Sequence, residues 1–183
     1  HKANLYHADL SEANLTGAQL QEARLEEATL CNADLSGTNL QKTNFRKADL
    51  SEANLTRAQL QEAILEEAIL SNTDLSRALL HKANCKGADL SEANLSGAQL
   101  QEAILQGATL SNVDLSGAQL PKVNFQGVDL NEANLSRARL EEANLSEANL
   151  CNVDLSRAIL VKANLRGADL SEANLSGAQL NEA

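Results

Sequence analysis

The chain has 183 residues, 43% of them hydrophobic but only 2% aromatic, with no Trp or Met, so its core cannot be built on large rings and falls to Leu and Ala. Twenty-five acidic against 15 basic residues give a net charge of −10, which disfavours general binding to nucleic acid phosphates or anionic membrane and favours a cationic partner. No apolar run approaches the roughly 20 residues that span a bilayer, and the start HKANLYHADL has no signal-peptide pattern, so this segment is expected to be soluble and any membrane tether to lie in flanking parts.

From His1 onward the sequence divides into fives without a slip: HKANL, YHADL, SEANL, TGAQL, QEARL and so on to SGAQL and a final NEA. Numbering the places in each quintet 1 to 5, place 5 is Leu except at Phe45, Cys85 and Phe125. Place 3 is Ala except at Thr38, Thr43, Thr73, Val113, Val123, Val128 and Val153. Composition alone suggests helix, but a step of five turns each Leu by about 140° on a helix and leaves no stripe to bury. In extended chain, places 3 and 5 point to one side. Successive quintets can face one interior only if the chain turns a corner at places 1 and 2, where Ser, Thr, Gly, Asn, Lys and Glu gather.

A longer period sets the number of sides. Residues 1, 41, 81, 121 and 161 open HKANL, QKTNF, HKANC, PKVNF and VKANL, a 40-residue unit whose half is four sides. The chain therefore predicts about nine four-sided coils of 20 residues, each rising about 4.8 Å. Residues 20 apart then stack, and one column reads Lys2, Glu22, Lys42, Glu62, Lys82, Glu102, Lys122, Glu142, Lys162, Glu182. Glu26, Arg46, Glu66, Lys86 and Glu27, Lys47, Glu67 alternate likewise. The like-charged exceptions are Arg57 over Arg77 and Arg137 over Arg157. Alternation at about 5 Å avoids repulsion and predicts ordered ion ladders.

The repeat A[DN]Lxx over all 183 residues resembles the pentapeptide-repeat family. The resemblance implies an all-β, right-handed quadrilateral β-helix over residues 1–183, with Leu and Ala inside. It also implies a non-catalytic rigid solenoid serving as scaffold or protein-interaction domain. An alternative role in that family is mimicry of DNA, with binding to DNA gyrase or another topoisomerase. Against mimicry, the Asp residues occupy place 4 on two adjacent sides only, where a short side chain can instead bond the backbone of the next corner. The helical end and Phe-rich repeats of the gyrase binders are also missing. The A[DN]L form is most similar to cyanobacterial arrays. Uncapped ends at His1 and Ala183 suggest a piece of a longer protein, open to end-to-end association.

No catalytic, cofactor or metal site is expected. The outward His1, His7 and His81 lie too far apart to share a metal, and the many Ser residues fall at corners with no recurring base. Cys31 and Cys151 share an outward column six coils apart while Cys85 points inward, so no disulfide within the chain is expected, and free thiols suit a cytoplasmic or other reducing compartment. An unknown protein partner is anticipated, with no direct nucleic acid binding. Two features could meet it. Ile64, Ile69 and Leu79 stand at outward place 4 on three sides of one coil, with Ile104 two coils on. Arg137, Arg139 and Arg157 form a basic cluster on an acidic rod. Strand propensity and cover by long neighbours account for the aliphatic residues more simply than a contact site does.

Overall fold

Each quintet folds into the same unit, a corner followed by a short extended edge, because the backbone donors at places 2 to 5 have fixed partners that recur almost throughout the chain. In the computed structural model, which describes residues 2–183, place 3 closes the corner: Ala8 N–H donates to the Leu5 carbonyl at 3.0 Å, and this recurs down the chain. Place 2 carries the strain of the turn, with φ near +57° at Lys2, Glu22 and Lys42, and all nine glycines stand there. Positive φ at the second central residue alone marks a type II turn, and no Val, Ile or Thr occupies the place.

The other donors join neighbouring coils. Leu5 N–H donates to the Arg24 carbonyl at 2.8 Å, Arg24 N–H to the Ala3 carbonyl at 2.9 Å, and Lys2 N–H to the Gln21 carbonyl at 3.0 Å. Place-4 residues pair in parallel with the residue 20 ahead, from Asn4 with Arg24 to Ile159 with Gln179. The repeat length of a coil is therefore 20 residues, four quintets to a turn. We call the edges opened by residues 1, 6, 11 and 16 the first to fourth faces, and residues 1–20, 21–40 and so on the coils, of which nine are complete. Among the described residues there is no helix, and none therefore long and apolar enough to cross a membrane.

Leu at place 5 and Ala at place 3 fill the interior, both fully buried from Ala23 to Leu160. Each buried Leu removes enough apolar surface to contribute about 1.5–3 kcal/mol. Thr38, Thr43 and Thr73 fit because each hydroxyl donates to the carbonyl 23 residues earlier, at the corner one turn below: Leu15, Leu20 and Leu50, at 2.9, 2.8 and 2.8 Å. Cys85 is buried in the column of Phe45 and Phe125, two coils from each, and burial pushes its thiol up to about 12.

The stacking breaks at one boundary. Between the sixth and seventh coils, the first and second faces keep their register, Ile104 beside Asn124 and Thr109 beside Asp129. Yet none of the six backbone bonds expected there keeps ordinary hydrogen-bond length and alignment among the described residues: those from Glu102, Leu105, Gly107 and Leu110 N–H to the seventh coil, and from Asn124 and Asp129 N–H to the sixth, all fall outside it, although the strands still lie paired. The third and fourth faces stay bonded, as in Leu115 N–H to the Asn134 carbonyl at 2.7 Å. The two coils thus splay about those faces. Ala103 and Ala108 rise to 5% exposure, and a cleft of about 360 Å³ opens beside Ile104 and Lys122. Inside, Val123, Phe125 and Val128 are all buried on these same two faces of the seventh coil, adding volume there.

The ion ladders form as pairs and not as continuous columns. Lys2, Lys42, Lys82, Lys122 and Lys162 each reach the Glu of the following coil at 3.3–3.7 Å, while Glu22, Glu62, Glu102 and Glu142 make no bridge to the next Lys. A carboxylate between two ammonium groups turns to one of them. All are exposed, so each contributes about 0–1 kcal/mol. His7 pairs with Glu27 at 3.4 Å; His1, placed by sequence in the column of His81, lies outside the described residues.

Candidate functional site

One amide per quintet, at place 1, remains after the backbone has paired, except at Pro121, which has none. Every Asn and Asp at place 4 accepts it two residues on, as in Ser11 N–H to Asp9 Oδ1 at 3.0 Å and Ser36 N–H to Asp34 Oδ1 at 2.9 Å. These bonds matter for charge as well as for folding. Hydrogen bonds from Ser11 and Ser171 hold the Asp9 and Asp169 carboxyls below the usual range, and those from Ser36 do so for Asp34. On the third face, Asn and Asp alternate up the whole column, and Asn54, Asn94 and Asn174 donate Nδ2 to Asp34, Asp74 and Asp154 at 3.2, 3.3 and 3.1 Å. The Asp residues are therefore turn-formers tied into a ladder, with neutral amides between like charges.

The four faces differ in charge. Every acidic residue of the chain lies on the first three; the fourth, built from quintets such as TRAQL, SRALL, SRARL and SRAIL, carries Arg57, Arg77, Arg137, Arg139 and Arg157 and no carboxylate. Its place-2 column reads Gly17, Gly37, Arg57, Arg77, Gly97, Gly117, Arg137, Arg157, Gly177. Each arginine pair lines a surface cleft with hydroxyls of place 1. One, of about 680 Å³, holds Arg137 and Arg157 beside Ser136 and Ser156; the other, of about 500 Å³, holds Arg57 and Arg77 beside Thr56 and Ser76.

Of the basic cluster read from sequence, the structure brings together Arg137 and Arg157 and leaves Arg139 out. Arg139 stands at place 4 and donates Nε and Nη2 to Glu141 Oε1 around the corner, at 2.9 and 2.6 Å. The equivalents of Arg137 and Arg157 are Arg57 and Arg77, and the signal that finds them is an 80-residue shift in the place-2 column. Ile64, Ile69 and Leu79 sit on three faces of the fourth coil, the first two 36% and 42% exposed and Leu79 half-buried. Ile104, 47% exposed, borders the splayed boundary and not the girdle. Among the described residues no group of His, Cys, Asp and Glu is gathered as a metal site would require.

Comparison with known proteins agrees with this geometry. A family model described as pentapeptide repeats matches overlapping stretches from residues 1–37 to 152–183. The crystal structure of HetL, a pentapeptide repeat protein involved in heterocyst differentiation regulation from the cyanobacterium Nostoc sp. strain PCC 7120, is 38% identical with a TM-score of 0.56, over 99% of this chain and 86% of that one. Full-length QnrB1, a plasmid-mediated fluoroquinolone resistance protein, is 22% identical with a TM-score of 0.54, over 98% and 92% of the two chains, a likeness of fold. No curated protein matches the chain.

Proposed function

The chain belongs to the pentapeptide-repeat family and has its right-handed quadrilateral β-helix, and from that premise we propose that it is a non-catalytic rod presenting fixed columns of side chains to a protein partner. The observation that carries this reading is the aliphatic girdle of the fourth coil. Ile64 and Ile69 stand exposed at places filled elsewhere mostly by Asn, Asp, Gln and Thr, on a coil whose four quintets are each bonded above and below. Apolar side chains held at fixed spacing on a polar rod cost little to bury against a partner, because their backbone is already ordered. Likeness to HetL, described as involved in heterocyst differentiation regulation, supports a regulatory or scaffolding setting in cyanobacteria.

Mimicry of DNA draws less support. A mimic needs free acid spread along the rod, whereas the place-4 carboxylates each accept a corner amide and one whole face is basic. The test is affinity capture from a cyanobacterial lysate with the native chain and with Ile64→Ser/Leu79→Ser, both folded by circular dichroism. The reading expects discrete partners that the double variant loses. Equal capture by both proteins would remove the girdle from the interface, and inhibition of gyrase supercoiling at micromolar concentration would favour mimicry instead.

A further inference from the structure

We propose that the fourth face is a docking surface for an acidic polypeptide segment whose carboxylates are caught at two points, by Arg57 with Arg77 and by Arg137 with Arg157. The inference deepens the reading of the rod as an interaction protein and rests on it. Three observations carry it. First, the face is free of carboxylates, while the other three hold all 25 acidic residues of the chain. An anionic partner is repelled from those faces and steered to the fourth. Second, these four arginines make no ion pair among the described residues, although Arg24, Arg46 and Arg139 each have a carboxylate within 4 Å. Third, they are the only like charges stacked on successive coils, about 4.8 Å apart, in a chain whose other charged columns alternate in sign or with neutral residues.

Two guanidinium groups at that spacing repel unless an anion lies between them, and each offers a planar fork that matches a carboxylate. Glycine brackets both pairs, at Gly37 and Gly97 and at Gly117 and Gly177, so no side chain stands directly above or below either pair in its column. Asp154 borders the first cleft, but its Oδ1 already accepts Ser156 N–H at 2.9 Å and Asn174 Nδ2 at 3.1 Å, against two unpaired guanidinium groups. The pairs are four coils apart, about 19 Å, which an extended peptide covers in about six residues. A nucleic acid strand fits less well, because its continuous phosphates would run past the pairs along a rod of net charge −10.

The test uses the purified chain with fluorescein-labelled deca-glutamate and tri-glutamate in an anisotropy titration at low salt. Only the longer peptide reaches both pairs, so it should bind at least tenfold more tightly. Arg57→Gln/Arg77→Gln and Arg137→Gln/Arg157→Gln should each bring deca-glutamate down to the affinity of the short peptide. Lysine at all four positions should still cost about fivefold, since charge survives without the fork. Arg139→Gln should change nothing. Absence of deca-glutamate binding, equal affinity for the two lengths, indifference to either double variant, or tighter binding of a labelled oligothymidylate would overturn the proposal. These components are pure, so its failure leaves lysate capture through the girdle intact, and the reverse.

Discussion

The third and seventh coils are copies with Phe in the same inward position, yet one is closed to its predecessor and the other is not. Below Phe45, all six bonds across the first two faces form, among them Leu25 N–H to the Asn44 carbonyl at 2.8 Å and Leu30 N–H to the Asp49 carbonyl at 2.6 Å. Below Phe125, the six counterparts fall outside ordinary hydrogen-bond geometry, although the register is kept. The preceding coils are matched inside, Ala23, Leu25 and Ala28 against Ala103, Leu105 and Ala108. The coils themselves differ at two core places, Thr43 against Val123 and Ala48 against Val128. Thr43 and Val123 are close in volume, but the Thr43 hydroxyl also bonds the corner one turn below. Val128 adds two methyl groups next to Phe125 where Ala48 adds none. The corner bonds differ little between the two coils: 2.9 Å at Ala48 against 3.1 Å at Val128, and 3.1 Å at Thr43 against 3.3 Å at Val123. A Phe is accommodated in this cross-section; a Phe with two valines is not, because an interior packed at crystal-like density has no slack.

The largest effect should come from making the closed coil resemble the open one. Thr43→Val with Ala48→Val adds volume beside Phe45 and removes a buried hydrogen bond, for a combined loss of about 3 kcal/mol. Urea denaturation should show it. Hydrogen exchange should localise it, with the Leu25 and Leu30 amides becoming fast while those of the fourth face stay protected. If stability falls without that local pattern, volume is not what parts the coils.

The repeat, the four sides and the direction of every Leu were legible because they depend on spacing alone: five residues per edge and twenty per coil leave no other arrangement with a common interior. Features that depend on sums over neighbouring edges were not legible in the same way. Val123, Phe125 and Val128 each look tolerable as single exceptions, and only their shared coil makes them a wedge. Arg137 and Arg139 look like one cluster because they are two apart in sequence, but a corner turns Arg139 towards Glu141. The Asn and Asp ladder of the third face was hidden because Asn and Asp count as one type when a repeat is written as A[DN]L, whereas their alternation is what separates like charges.

Cys85, between the two Phe coils, tests how far the splay spreads. Its own coil is closed above, with Cys85 N–H donating to the Ile104 carbonyl at 2.8 Å. Desolvation holds the thiol neutral up to about 12, against an ordinary value near 9. Between those limits the unfolded chain gives up a proton that the folded chain keeps. Stability should therefore be unaffected by Cys85 below pH 9 and fall above it, by about 1.4 kcal/mol per pH unit. In a Cys31→Ser/Cys151→Ser background, thiolate absorbance should stay absent to pH 11 unless the protein unfolds. Titration near pH 9 in the folded state would mean that water entering at the boundary reaches the fifth coil.

Relieving the open coil should have the smallest effect, since its strain is already partly released by splaying. Val128→Ala removes the methyl groups that Ala48 lacks, so the ladder can close at the expense of a little apolar burial. We expect a net gain of about 1 kcal/mol or less, and slower exchange of the Leu105, Gly107 and Leu110 amides by about tenfold. A side-chain clasp is the competing cause, because Asn44 Nδ2 donates to Glu26 Oε1 at 2.9 Å across the closed boundary while Gln106 makes no such bond to Asn124. Gln106→Glu supplies that acceptor without touching the core. If it alone slows the three amides and Val128→Ala leaves them fast, the clasp holds the coils together and core volume is incidental; overpacking requires the opposite result.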